Sequence, residues 1–206
     1  MYSIPMALVD FIPVILFGMA IFILQKDLYN KMSKGAYALF CAGTIDVFMA
    51  GILKALYKLL YAANICNFER LNAMFLPLQA IGFIMAGFAM ICMIYLPQSE
   101  KNIYAVTPVV FSGTFIFILF MVLGLFGIDF SLIMLSKKLK KNKLIIYFVI
   151  SFIFSLMMGY LSSKDFTLSY MNWIAELVNT IGQGSLFIGV KLLSKSGLNE
   201  LKIKED

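Results

Sequence analysis

The chain alternates between long apolar runs and short polar links over almost its whole length. A run of about 20 apolar residues spans a hydrocarbon core of ~30 Å as an α-helix. The runs are continuous and do not alternate in polarity, which excludes a membrane β-barrel. We therefore predict an all-α, polytopic integral membrane helix bundle that forms one domain over residues 1–206. Its six predicted spans cover about residues 4–24, 36–62, 71–96, 109–135, 144–161 and 168–193.

The polar links predict the topology of these spans. Proline and charge at residues 97–101 end the third span, and Pro108 marks the start of the fourth, since proline suits a first helical turn. Because every link is short, we expect neighbouring spans to be antiparallel, with both termini on one side. Lys54, Lys58, Arg70 and the lysine-rich stretch 137–143 would share that side, and lysine and arginine mark the cytoplasm. Both termini are therefore predicted to be cytoplasmic.

The two halves of the chain share a faint similarity. An offset of 100 residues matches Asn72 with Asn172 and Gly82 with Gly182, and it places Gln79 opposite Asn179. With three spans in each half, the second half would be upside down relative to the first. Inverted repeats of this kind recur in transporters, whose sites lie where the halves meet. The alternative interpretation is that two apolar segments share a few identities by chance.

Composition narrows the functional classes. Hydrophobic residues make up 62% of the chain and charged residues 14%, with a formal charge of +6. This composition excludes a soluble domain, and without a solvated basic fold we predict no nucleic-acid partner. The chain has no histidine, which removes the commonest general base and metal ligand. We predict no cofactor, no metal and no catalytic residues. The abundance of lysine, isoleucine and phenylalanine favours a bacterial cell inner membrane.

One helix face carries most of the polar residues that lie inside a predicted span. Asn172, Glu176, Asn179 and Gln183 recur at intervals of four, three and four residues, which places them on one stripe of a helix. A charged residue at the centre of a membrane helix costs roughly 2.5–3.5 kcal/mol on insertion scales. The stripe therefore indicates a polar pathway or pocket with Glu176 as its protonatable group. The alternative is that the amides hold two helices together.

Two further polar residues lie deep in predicted spans. Asp46 lies well inside the second span, and Gln79 follows Pro77 in the third. We predict that both join the stripe, whereas Lys54 and Lys58 extend towards the membrane interface. For Asp129, the sequence favours an interfacial position and a buried position equally. The predicted site for a solute or an ion thus consists of Asp46, Gln79, Asn172, Glu176, Asn179 and Gln183.

Three functions remain open at the level of sequence. The first is a small transporter or channel-like protein that binds a small solute or ion at this site. The second is a membrane sensor or interaction subunit, in which the polar face docks a protein partner or a second copy of the chain. There the basic stretch 137–143 contacts anionic lipid or a cytosolic partner. The third is an intramembrane lipid-modifying enzyme, which the absence of catalytic motifs disfavours.

Overall fold

A computed structural model describes residues 3–95, 114–161 and 169–201 of the chain. Within these ranges the chain forms helices and turns and no β-strand, which confirms the all-helical prediction. Two short 3-10 helices, Asn142–Leu144 and Leu198–Glu200, follow the fifth and seventh α-helices. The α-helices are α1 Ile4–Val9, α2 Phe11–Leu28, α3 Lys34–Ala62, α4 Glu69–Tyr95, α5 Thr114–Lys138, α6 Ile145–Leu161 and α7 Ser169–Lys195.

Five described helical segments are long and apolar enough to cross a membrane, with α1 and α2 counted as one segment. Helix α7 has a comparable length of 27 residues, but it carries the polar stripe. The bounds agree with the predicted spans to within a few residues wherever both can be compared. The predicted turn at residues 97–101, the start of the fourth span at 107–109, the turn at 162–165 and the charged tail at 202–206 lie outside the described residues.

The first span is interrupted, which the apolar pattern did not predict. Helix α1 ends at Val9, Asp10 forms a turn, and α2 begins at Phe11. Pro13 explains the position of this break, because proline has no N–H to donate to the carbonyl of Val9 four residues earlier. Asp10 is buried, with only 6% of its surface exposed. A proline in the first turn of α2 thus sets a carboxylate at a helix junction inside the bundle.

Helices α3 and α4 are antiparallel, whereas α4 and α5 are parallel. A Cβ added to Gly43 of α3 would meet Ala86, and one added to Gly82 would meet Val47, so residue numbers rise in opposite directions. Between α4 and α5, Phe83 lies against Gly124 and Gly87 lies against Gly127, so residue numbers rise together. The expectation that all consecutive spans are antiparallel is therefore wrong for this pair. That expectation had assigned residues 96–113 to a short link and to the start of the fourth span.

Helices α2 and α7 are also parallel. Leu16 lies against Gly184, and the Lys31 ammonium donates hydrogen bonds to the carbonyl oxygens of Asn199 (3.1 Å) and Leu201 (2.6 Å). The start of α1 and the end of α7 therefore lie at opposite ends of the bundle. This arrangement of the described helices differs from the one expected for an even number of alternating spans, and the side of the membrane on which each terminus lies stays a prediction.

The two ends of the bundle differ in charge. We call the end that holds the α2–α3 link, the α5–α6 link and the end of α7 the basic end. The other end, which holds α1, the α3–α4 link and the start of α7, is called the pocket end. The basic end carries Lys26, Lys31, Lys34, Lys137, Lys138, Lys140, Lys141, Lys143, Lys191 and Lys195. Strictly antiparallel spans would have put the α2–α3 link and the stretch 137–143 at opposite ends of the bundle, so this consequence of the predicted topology is also wrong.

Helices α2–α4 and α5–α7 form two units of three helices that run in the same direction. Each helix packs against the next, and α7 packs back on α2 to close a ring. The bounds of α4 and α7 differ by 100 residues at both ends, the offset found in the sequence. The units are therefore not inverted, contrary to the prediction. In both units the first and third helices run in one direction and the middle helix runs in the other.

The apolar core fills the half of the ring next to the basic end. Its fully buried side chains include Leu24 of α2, Phe40 of α3, Met90 of α4, Leu132 of α5 and Leu193 of α7. Burying side chains of this size contributes about 1.5–3 kcal/mol each when the alternative is water. The half next to the pocket end is less densely filled, and that is where the polar residues converge.

Candidate functional site

A cavity of about 450 Å³ occupies the pocket-end half of the ring. Every one of the helices α2 to α7 contributes to its wall. Helices α4 and α7 contribute at matching positions, each 100 residues apart, so both three-helix units face the same cavity. These positions are Asn72, Phe75, Leu76, Gln79 and Phe83 on α4, and Asn172, Ala175, Glu176, Asn179 and Gln183 on α7.

Three buried charged side chains form an ion network at this cavity. The Lys58 ammonium lies 3.0 Å from Asp10 Oδ1 and 2.7 Å from Glu176 Oε1. The three side chains are between 5% and 8% exposed. The network connects the α1–α2 junction, the last turns of α3 and the first half of α7. It therefore joins the first unit to the second.

Several hydrogen-bond acceptors in the cavity have no partner among the described residues. Glu176 Oε2 and Gln183 Oε1 are buried and accept no hydrogen bond there, and the Ser155 hydroxyl is in the same state. Glu176 and Gln183 are seven residues apart on α7, which separates them by ~10 Å along the helix axis. Buried polar atoms in proteins are nearly always paired. Unpaired acceptors in a cavity wall are available to a solute that carries hydrogen-bond donors.

A second lysine lies in the cavity wall. The Lys54 ammonium lies 4.0 Å from the ring centroid of Phe75, which is a cation–π distance. Lys54 and Lys58 are four residues apart and share one face of α3. If Asp10, Glu176 and both lysines are ionised, the two positive and two negative side chains of the cavity wall cancel in charge.

The structure brings together five of the six predicted site residues. Gln79, Asn172, Glu176, Asn179 and Gln183 all line the cavity. Asp46 does not line it: it lies half-buried on α3, twelve residues and ~18 Å before Lys58. The prediction that Asp46 joins these residues is therefore corrected: Val47 and Phe48 on the same turn line the cavity, but Asp46 lies on another face of α3.

The sequence analysis missed two members of the network. Lys58 was expected to extend to the membrane interface, yet it is 6% exposed and bridges two carboxylates. Asp10 was not singled out, although a carboxylate in the middle of an apolar run was a usable signal. Asp129 also proves to be buried, at 2% exposure, on α5 and outside the cavity lining.

No family model, curated protein or solved structure matches this chain. Within the described ranges, no group of three cysteine or acidic side chains is placed to hold a metal ion.

Proposed function

We propose that this chain is a small transporter of the bacterial inner membrane that binds a polar solute in the central cavity. The observation that carries the proposal is the buried Asp10–Lys58–Glu176 network in the wall of that cavity. Ionisable residues inside membrane bundles face interior cavities and mark pathways for substrates or ions. The site would lie at the interface of two repeated units, as it does in many transporters.

A purely structural role explains this site less well. Buried ion pairs are poor stabilisers, because the cost of removing both charges from water offsets their attraction. Amides that hold helices together pair with each other, whereas Gln183 Oε1 and Glu176 Oε2 are unpaired at a cavity. In addition, the matching positions on α4 and α7 line two sides of the same cavity. These features favour a binding site.

The charge and packing of the two ends support an orientation. Lysines concentrate at the basic end, and lysine-rich loops mark the cytoplasmic side of bacterial membrane proteins. The apolar core closes the cavity on that side. We therefore propose that the cavity faces the outside of the cell in this conformation. Movement of one three-helix unit against the other would expose it to the cytoplasm.

The cavity chemistry favours a neutral or zwitterionic solute with hydrogen-bond donors. With all four ionisable side chains of the wall charged, their charges would cancel, and an ion of either sign would be buried without a dedicated counter-charge. The unpaired carboxylate and amide oxygens would accept hydrogen bonds from hydroxyl, amide or ammonium groups of the solute.

A thermal-stability screen of the purified protein in detergent tests this proposal. The panel contains amino acids, polyols, nucleosides, vitamins and inorganic ions, applied to the wild type and to Glu176→Gln. A compound that binds only the folded state adds about 2.7 kcal/mol of stability at a hundredfold excess over its Kd. Asp129→Asn is the matched control, because it also removes a buried carboxylate but lies outside the cavity.

We expect a compound that stabilises the wild type and Asp129→Asn but not Glu176→Gln. Uptake of that compound into proteoliposomes then tests transport. If no compound shifts the melting temperature and Glu176→Gln alone melts far lower, the network is structural and the proposal fails. Extraction of cell membranes with alkaline carbonate tests membrane placement separately, since an integral protein stays in the pellet.

A further inference from the structure

Four exposed lysines meet in a concave site at the basic end, far from the cavity. Lys140, Lys141 and Lys143 come from the α5–α6 link, and Lys195 comes from the last turn of α7. The site is an open surface depression of about 550 Å³. Among the described residues that line it, none is acidic, so its wall carries four positive charges and no carboxylate. The chemistry of this wall selects an anion.

The backbone gives the α5–α6 link a defined shape. Lys140 adopts a left-handed conformation with φ +56°, and the N–H of Lys141 donates to the carbonyl of Ser136 (2.9 Å). This hydrogen bond closes the end of α5 in the manner of a helix C-cap. The 3-10 helix Asn142–Leu144 follows and packs against α7. The lysines therefore project from an ordered turn.

An apolar stripe on α7 leads away from this site towards the pocket end. Leu192 lies in the wall of the site, and exposed apolar residues follow it at helical spacing: Ile188 (44% exposed), Ile181 (37%) and Leu177 (62%). Residues separated by four or seven positions share one helix face. A ligand that fits both features has an anionic head and an apolar chain.

We propose that this basic site binds the phosphate headgroup of an anionic phospholipid, whose acyl chain lies along the α7 stripe. The proposal rests on the membrane placement proposed above, but it does not depend on transport. The site lies at the end of helices whose length matches a bilayer, where lysines meet lipid headgroups. Its ligand would connect the α5–α6 link to the end of α7.

Binding measurements with lipid nanodiscs of defined composition test this inference. The purified full chain is titrated by native mass spectrometry with phosphatidylglycerol, with phosphatidylcholine and with inorganic phosphate. The test variant is Lys141→Gln with Lys195→Gln, which removes one charge from each side of the site. The matched control is Lys26→Gln with Lys34→Gln, two exposed lysines at the same end but outside the site.

We expect phosphatidylglycerol to bind the wild type in preference to phosphatidylcholine. The test variant should bind it about ten- to thirtyfold more weakly, since each lysine near anionic lipid contributes about 1 kcal/mol, or a factor of about five. The control variant should change by less than about threefold. Equal losses in both variants would indicate diffuse surface charge and would overturn the inference. So would equal binding of phosphatidylcholine, or inorganic phosphate binding as tightly as the lipid.

Discussion

At the scale of single residues, Lys58 is the centre of the candidate site. Its ammonium group contacts both Asp10 and Glu176, and all three side chains are buried. Two carboxyl groups held this close must share a proton or have a cation beside them, and Lys58 is the cation that contacts both here. The network therefore depends on Lys58 more than on either acid.

We predict that Lys58→Met destabilises the protein by ~3–5 kcal/mol, because it leaves two buried carboxylates without their cation. The measurement is equilibrium unfolding in detergent. The triple variant Asp10→Asn, Lys58→Met, Glu176→Gln removes all three charges and should recover most of that loss. If the single and triple variants are equally unstable, the loss comes from packing around Lys58 and the network contributes little.

The residues of the site were partly predictable from the sequence. A stripe on one helix is a local property, so Asn172, Glu176, Asn179 and Gln183 could be grouped from their spacing. The partners of Glu176 could not be identified in this way, since Lys58 lies 118 positions away along the chain. Asp46 shows the same limit: its depth in a span was visible, but the direction of its helix face relative to α7 was not.

At the scale of elements, glycines fix the distance between α3 and α4. A Cβ at Gly43 would lie 2.5 Å from the Gly82 carbonyl oxygen and 2.8 Å from the Ala86 nitrogen. These are backbone atoms, which cannot move away without displacing the whole helix. Small residues allow helices to approach this closely in membranes.

We therefore predict that Gly43→Ala destabilises the protein by ~1–3 kcal/mol through overpacking. The matched control is Gly184→Ala on α7, where the nearest atom to an added Cβ is Leu16 Cδ1 at 3.8 Å. This control should be neutral or slightly stabilising, since alanine favours a helix over glycine. Melting temperatures of both variants in the same detergent provide the comparison. Equal effects would show that helix propensity outweighs the close contact.

The helices themselves were predictable, whereas their directions were not. Helix α4 at Glu69–Tyr95 and helix α7 at Ser169–Lys195 follow directly from apolar length and from the polar residues that limit it. Whether α5 runs with or against α4 depends on contacts such as Phe83 with Gly124, which have no local signature. The offset of 100 residues between α4 and α7 was visible in the sequence, but whether the two three-helix units run in the same or in opposite directions was not.

At the scale of the whole molecule, the directions of the helices determine which links share an end. The α2–α3 link and the α5–α6 link both lie at the basic end, and the α3–α4 link lies at the pocket end. A bundle of six strictly alternating spans would instead put the α3–α4 and α5–α6 links together. Whether the α5–α6 link lies at the same end as the α3–α4 link therefore distinguishes the two topologies.

We predict that cysteines at three links react according to the parallel topology. Cys66 is exposed in the α3–α4 link, and Asn30 and Asn142 are exposed positions in the other two links. Each single-cysteine variant, with the other native cysteines replaced by alanine, is treated in spheroplasts with a membrane-impermeant maleimide. Cys66 should react from outside, because lysine-rich loops stay in the cytoplasm. Asn30→Cys and Asn142→Cys should react only after the membrane is opened.

The pattern of the three labels separates the topology from the orientation. If Asn142→Cys reacts together with Cys66 and Asn30→Cys does not, the spans alternate strictly and the parallel contact of α4 with α5 is incorrect. If instead Cys66 alone is protected, the helices are arranged as described and the bundle is inserted the other way round. The central cavity would then open towards the cytoplasm, and a solute would enter it from inside the cell.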